Sequence, residues 1–130
     1  MKHLEALFLS GPFRKWCESK DNKFPTFVFE AKSTRGKDYL AFSAVEAHQV
    51  IALHQSKHAV KYYKFPDEGR GTKPFDGAIW RGADAYIVIE YPAFWCMIDI
   101  DAYENEERTS TRKSITSGRA LQIANIIIDK

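Results

Sequence analysis

The sequence predicts one α/β (α+β) domain, with helices flanking a central sheet that is mixed and largely antiparallel. Three observations lead to this fold class. The chain of 130 residues, 45% of them hydrophobic, is long enough for one core and too short for two. Several runs are rich in β-branched and aromatic residues, as strands are, and residues 85–91 are the strongest of them. Helix signals stand between these runs, and no repeat or linker divides residues 1–130.

Each element follows from a local signal. Gly11-Pro12 ends a first short helix, and Pro25 places the start of one strand at an edge or a bulge. Ser43 with Glu46 three residues later predicts a capping box at the start of the long helix. The predicted elements are, in order, helix 3–9, strands 13–18, 24–32 and 39–42, helix 44–57, strands 59–65, 75–80, 85–91 and 94–100, a polar loop with a little helix over 101–112, and a last helix capped by Thr116 or Ser117 and containing Leu121, Ile123, Ala124 and Ile127.

The composition indicates a cytoplasmic protein without a membrane segment. Lys and Arg number 19 against 17 Asp and Glu, a net charge of +2, so a nucleic-acid partner requires positive charge gathered on one surface. Cys17 and Cys96 are far apart, lack metal-ligand spacing and are expected to be reduced core residues. No secretory signal and no apolar run of transmembrane length is expected.

The most informative motif is Glu30-Ala31-Lys32, at the end of the apolar run Phe27-Val28-Phe29. Side chains two apart on a strand point the same way, so Glu30 and Lys32 share a face. A carboxylate and an ammonium projecting together can hold a divalent metal and a water molecule. The alternative is an ordinary surface salt bridge in a structural protein.

The order of motifs resembles the PD-(D/E)xK nuclease superfamily, and within it the Holliday-junction resolvases of the RecU and archaeal types. Three parts of the chain carry the resemblance: the strand that ends Phe-Glu-Ala-Lys-Ser-Thr, the helix with His48-Gln49, and the late segment 112–116. The resemblance implies a restriction-endonuclease-like fold and a Mg²⁺-dependent (or Mn²⁺-dependent) endonuclease that hydrolyses DNA, with branched DNA as its substrate. It also implies a homodimer that cuts two strands.

The resemblance assigns roles to the residues around this motif. It makes Glu30 a metal ligand, with the Ala31 carbonyl as a further ligand. Lys32 would orient or activate the attacking water, and Gln49 would hydrogen-bond to water or phosphate. Mg²⁺ suits such a site because it keeps several waters and needs only one or two carboxylates beside the substrate phosphate.

The chain departs from the family in its second acidic ligand, which should precede the Glu30 strand. Asp21 falls in a predicted turn, and Glu18 depends on the strand register. Asp76, in Pro74-Phe75-Asp76-Gly77, is proposed to complete the site through a rearranged strand order; the alternative is an Asp that caps a turn. Glu5 on the first helix is a further candidate for a supporting acid, with an ordinary solvated helix position as the alternative. Without a second carboxylate the protein would be an inactive nuclease-fold module that binds nucleic acid or protein.

Several basic and polar residues are expected to contact DNA, through phosphate contacts that are sensitive to salt and independent of sequence. They lie in loops and at the start of a helix, where ordinary surface positions are the alternative. The candidates are Arg35, Lys37, His48, Arg70, Lys73, Arg112 and Lys113. His54 and His58, four apart on one helix, could bind zinc, but the sequence shows no evident third ligand.

Overall fold

The computed structural model describes residues 4–18, 27–67 and 73–130. The described part contains five α-helices, one 3₁₀ turn and eight strands. The helices are α1 Leu4–Ser10, α2 Pro12–Glu18, α3 Ala47–His58, α4 Ile100–Thr109 and α5 Ser117–Ile123, with the 3₁₀ turn at Phe42–Ala44. The strands are β1 Phe27–Ser33, β2 Tyr39–Ala41, β3 Val60–Lys64, β4 Gly77–Arg81, β5 Asp84–Glu90, β6 Phe94–Asp99, β7 Ser114–Thr116 and β8 Ile126–Asp129.

The main sheet has four strands in the order β1-β5-β6-β8. β1 runs parallel to β5, whereas β5–β6 and β6–β8 are antiparallel. The sheet is therefore mixed and largely antiparallel, and helices lie on both faces, so the predicted fold class is confirmed. β5 and β6 are almost wholly buried because they occupy the middle of this sheet.

Alternate residues of β1 and β5 face two separate apolar clusters. Ile87 and Ile89 belong to a larger cluster that includes Leu53 of α3 and Tyr103 of α4. The other face of the sheet packs Phe8 of α1 and its aromatic neighbours. The period of two along each strand thus decides which helix layer a β1 side chain meets.

Two small ladders stand beside the main sheet. β2 pairs with β7, which joins the loop after β1 to the segment before α5. β3 pairs with β4 as an antiparallel hairpin whose outer face leaves Tyr62 and Ile79 largely exposed. The first residue of β4 is Gly77. A Cβ there would lie 2.5 Å from the Tyr63 carbonyl oxygen, so only glycine fits without a shift of the backbone.

Residues 13–18 form a helix rather than the predicted strand. Pro12 stands at the first helical position, where its missing N–H costs nothing. Phe13 and Trp16, three apart, then both turn toward the cluster around Phe8. The Phe8 and Phe13 rings stack with centroids 5.1 Å apart, a tertiary contact that apolar alternation alone does not reveal.

Two further boundaries differ from the prediction in the C-terminal third. Residues 101–112, predicted as mostly loop, supply most of the ten-residue helix α4, which Asp99 caps by accepting a hydrogen bond from Asp101 N. The last helix begins at its predicted cap, Thr116, but ends at Ile123. Ile127 lies in β8 rather than in the helix, because β8 forms backbone hydrogen bonds with β6. The local sequence does not predict this pairing.

The long helix starts later than predicted. A 3₁₀ turn occupies Phe42–Ala44, and Glu46 rather than Ser43 is the N-cap of α3. None of the described helices is long and apolar enough to cross a membrane.

Candidate active site

Glu30 and Lys32 lie side by side on the α3 face of β1. Their register partners on β5 are Ile87 and Ile89, which belong to the cluster beneath α3. Lys32 Nζ is 3.8 Å from Glu30 Oε1, and the two side chains are only 23% and 24% exposed. The pair is therefore partly desolvated, unlike an ordinary surface salt bridge.

Gln49 joins the helix to this pair. Its Nε2 donates a hydrogen bond of 2.6 Å to Glu30 Oε1. Its Oε1 accepts a bond of 3.0 Å from the backbone N–H of Glu46, which is the reach-back half of a capping box. The turn that starts α3 therefore fixes the amide that contacts Glu30, and the predicted association of Glu30, Lys32 and Gln49 is present in the structure.

The Glu30 carboxyl is electrostatically perturbed. Burial raises its pKa above the ordinary value, while the nearby Lys32 ammonium lowers it. Glu5 and Glu46 add negative charge that raises the same pKa, and His48 opposes them. A partly buried carboxyl whose pKa is perturbed by several charged neighbours is a feature of functional sites.

Glu5, an exposed residue of α1 in the opposite layer, acts on the Glu30 carboxyl through its charge. Helix α1 packs against β1, which is the edge strand among those described, so a side chain on α1 can act around that edge. Glu5 is the only candidate second acid from the sequence that contributes to the perturbation of Glu30 within the described chain. Glu46 is a third acid that the sequence reasoning missed as a site residue. Its signal was the Glu-x-x-Gln spacing of residues 46 and 49.

The structure does not bring Asp76 to Glu30. Asp76 precedes β4 in the hairpin with β3, outside the main sheet. Its side chain is 95% exposed and lies 3.2 Å from Lys73 Nζ. The proposed rearranged strand order fails because β4 pairs only with β3 among the described strands, so the catalytic and metal-binding roles predicted for Asp76 find no support.

The other predicted acid positions stand elsewhere. Glu18 ends α2 and pairs with Arg14 at 2.8 Å on an exposed surface. Asp21 lies outside the described residues. Ala31 is buried and faces the opposite cluster from Glu30, with Val88 as its register partner; its carbonyl as a metal ligand stays a prediction.

Four predicted DNA contacts are exposed near the β2–β7 ladder. Arg35 and Lys37 lie in the turn after β1, where Arg35 N donates to Ser33 Oγ at 3.0 Å. Arg112 and Lys113 precede β7, and Lys113 O accepts a hydrogen bond from Phe42 N, just ahead of α3. The chain folds so that basic groups from two distant segments approach opposite ends of one short ladder.

The other predicted contacts either lie beside acidic side chains or fall outside the described residues. His48 lies 3.2 Å from Glu46 Oε2 at the start of α3, close enough to affect the Glu30 pKa. Lys73 is paired with Asp67 and Asp76 in the separate hairpin. Arg70 lies outside the described residues.

The negative charge around Glu30 favours a cation. Glu30 supplies a carboxylate, and Glu5 and Glu46 add negative charge from two other elements. Carboxylate oxygens are ligands that Mg²⁺ and Mn²⁺ prefer, and Mg²⁺ needs few of them when phosphate completes the shell. A cation held by Glu30 would have the Lys32 ammonium and the Gln49 amide beside it.

Comparisons with protein-family models, with curated proteins and with solved structures gave no match to this chain.

Proposed function

We propose that this protein is a metal-dependent endonuclease that hydrolyses DNA phosphodiester bonds, with branched DNA such as a Holliday junction as its substrate. The observation that supports the proposal best is the Glu30–Lys32–Gln49 cluster. A partly buried carboxylate with a raised pKa lies against an ammonium and a fixed amide. The order of the motifs, from the Glu-x-Lys strand to the helix with His48-Gln49, agrees with the resemblance to the PD-(D/E)xK nucleases.

Each residue of the cluster has a role in this proposal. Glu30 holds Mg²⁺ or Mn²⁺, with Glu5 as the second acid in place of Asp76. A bound divalent ion supplies charge stabilisation and an acidic water. Lys32 places an ammonium beside the scissile phosphate, where it stabilises the charge that develops on the oxygens. Gln49 fixes the orientation of the Glu30 carboxylate through its 2.6 Å hydrogen bond.

The basic residues at the β2–β7 ladder are the proposed DNA-backbone contacts. Arg35, Lys37, Arg112 and Lys113 are all exposed. Phosphate contacts of this kind release counterions, so affinity should fall steeply with salt. Cutting both strands of a junction requires two active sites, so the proposal includes a homodimer.

Cleavage of a labelled four-way junction tests the proposal, with linear duplex as a comparison substrate and with Mg²⁺ or chelator. Wild type is expected to cut only with the metal, and Glu30→Gln and Lys32→Met are expected to lose at least about 100-fold in rate, the scale of one electrostatic catalytic group. Asp76→Asn is the matched control, because its carboxylate is solvated and lies in the other hairpin. Normal cutting by Glu30→Gln would refute the assignment.

The second candidate is a nuclease-fold module that binds nucleic acid without cutting it. It is favoured by the displacement of Asp76, which leaves Glu5 as an exposed second acid on a different element. Salt-dependent junction binding by wild type, without cleavage in Mg²⁺ or Mn²⁺, would establish this alternative. If wild type cuts, Glu5→Gln should reduce cleavage and leave binding unchanged. The second candidate predicts no cleavage by either protein.

A further inference from the structure

A group of metal-ligating side chains lies away from Glu30, where α3 packs against α4. His54 and His58 stand four apart on α3, so their rings share one face, and their centroids are 4.6 Å apart. Asp101, in the first turn of α4, faces them. One ligand atom from each of these three residues lies within 4.8 Å of the other two.

Glu104 holds one of the three ligands by a hydrogen bond. Glu104 Oε1 is 2.7 Å from His54 Nδ1, and Asp101 Oδ1 is 2.7 Å from His58 Nε2. Each imidazole therefore already contacts one carboxylate oxygen, with a proton between them. His54, His58 and Asp101 together offer two imidazole nitrogens and one carboxylate oxygen, which is a donor set of a four-coordinate zinc site that keeps a water in its last position.

The surrounding charge also fits a divalent cation. Lys57 donates hydrogen bonds to both oxygens of Asp99, at 2.8 and 2.9 Å, and lies 2.7 Å from Asp101 Oδ2. The Lys57 ammonium holds the Asp101 carboxylate by its Oδ2, so that Oδ1 faces His58. Residues that orient metal ligands in this way are common around metal sites. The carboxylates of Asp99, Asp101 and Glu104 against one ammonium give a net charge of −2, which a divalent cation neutralises.

We propose that His54, His58 and Asp101 form a zinc site that clamps α3 to α4, with Glu104 holding the His54 ring in position. The ligand class follows from the donors, because imidazole favours zinc and its neighbours over Mg²⁺. The site is distinct from the one at Glu30, which offers carboxylates. Its consequence is structural: the ion ties the helix that carries Gln49 to the helix that follows β6.

Thermal melting with and without Zn²⁺, and visible absorption with Co²⁺, test the site. All measurements are made in a Glu30→Gln background, so that an ion at Glu30 does not contribute and the outcome is independent of nuclease activity. A hundredfold excess of Zn²⁺ over its Kd should raise Tm by about 10 °C. Co²⁺ should give the intense d–d bands of a four-coordinate ion.

Two variants decide the assignment. His58→Gln should abolish both the Tm shift and the cobalt spectrum, and His48→Gln, a histidine on the same helix outside the cluster, should keep both. All four side chains are partly exposed, so the variants are expected to fold, which far-UV circular dichroism checks. If Zn²⁺ does not shift Tm, or if His58→Gln retains the shift, the proposal is overturned and the histidines act only as hydrogen-bonded partners of the two carboxylates.

Discussion

Gln49→Glu changes the charge at the candidate active site and leaves the helix start intact. Glutamate and glutamine serve equally at the third helical position of a capping box, so the bond from Glu46 N is retained. The other oxygen of the new carboxylate replaces the amide nitrogen that lies 2.6 Å from Glu30 Oε1. The substitution therefore replaces a hydrogen-bond donor to Glu30 with a second negative charge.

The magnitude follows from Coulomb's law. Two carboxylates that relax to about 4 Å repel by about 4 kcal/mol at an effective dielectric of 20 and by about 1 kcal/mol in bulk water. Glu30 is 24% exposed, so an intermediate value applies. The lost hydrogen bond adds to this, and the expected loss of stability is about 2–4 kcal/mol, or a fall in Tm of about 5–15 °C.

The loss should be reversible by two treatments, measured by calorimetry or fluorescence melting. Lowering the pH toward 5 protonates one carboxyl of the pair, because like charges raise the pKa of one member. Mg²⁺ in hundredfold excess over its Kd restores about 2.7 kcal/mol by binding the folded state. Wild type also gains stability from Mg²⁺, so the difference in Tm between variant and wild type should be largest in chelator and should narrow in Mg²⁺ because the added carboxylate makes the variant bind the ion more tightly.

Gln55→Glu is the matched control for this prediction. It makes the same chemical change on α3, but Gln55 Oε1 accepts a hydrogen bond from Lys61 Nζ at 3.1 Å, so the new charge gains a cation. Its Tm should change by no more than about 2 °C. An unchanged Tm for Gln49→Glu would show that Gln49 does not face Glu30, and a loss insensitive to both acid and Mg²⁺ would show that charge repulsion is not its cause.

Three other perturbations test the surroundings of the site. Because burial raises the pKa of Glu30, the folded state binds that proton more tightly than the unfolded state. The carboxyl's contribution to stability is therefore full below about 4.5 and is lost as pH rises through the raised value. In chelator, Glu30→Gln should then melt above wild type at pH 7, with the advantage shrinking toward pH 4; an advantage independent of pH would contradict this. Tyr91→Phe removes a buried 2.8 Å hydrogen bond to the Ile115 carbonyl and should cost about 1–3 kcal/mol in urea unfolding, so an unchanged midpoint would mean the bond is replaced by solvent. Burial raises the pKa of Cys96 to about 12, so in a Cys17→Ser variant this thiol should resist a thiol reagent at pH 8 until urea is added, and fast labelling of the native protein would refute its burial.

The sequence predicted those parts of the fold that carry their own signal. β5 and β6 were evident from dense β-branched and aromatic residues, and the alternation of β1 placed Glu30 and Lys32 on one face before any partner strand was known. Periodicity did not distinguish a six-residue strand from a short helix at residues 13–18. Only the aromatic packing around Phe8 decides that segment.

Some features of the candidate site were also predictable from the sequence, and others were not. Residue type and spacing along the chain indicated Glu30, Lys32 and Gln49 as candidate site residues, because strand and helix periods fix the direction of each side chain relative to its neighbours. That Asp76 lies in a separate hairpin, and that two histidines meet Asp101 and Glu104, was decided only by tertiary structure. These contacts depend on which strands pair and on how helices cross the sheet. Many residues jointly determine that packing through burial, and no short segment specifies it by itself.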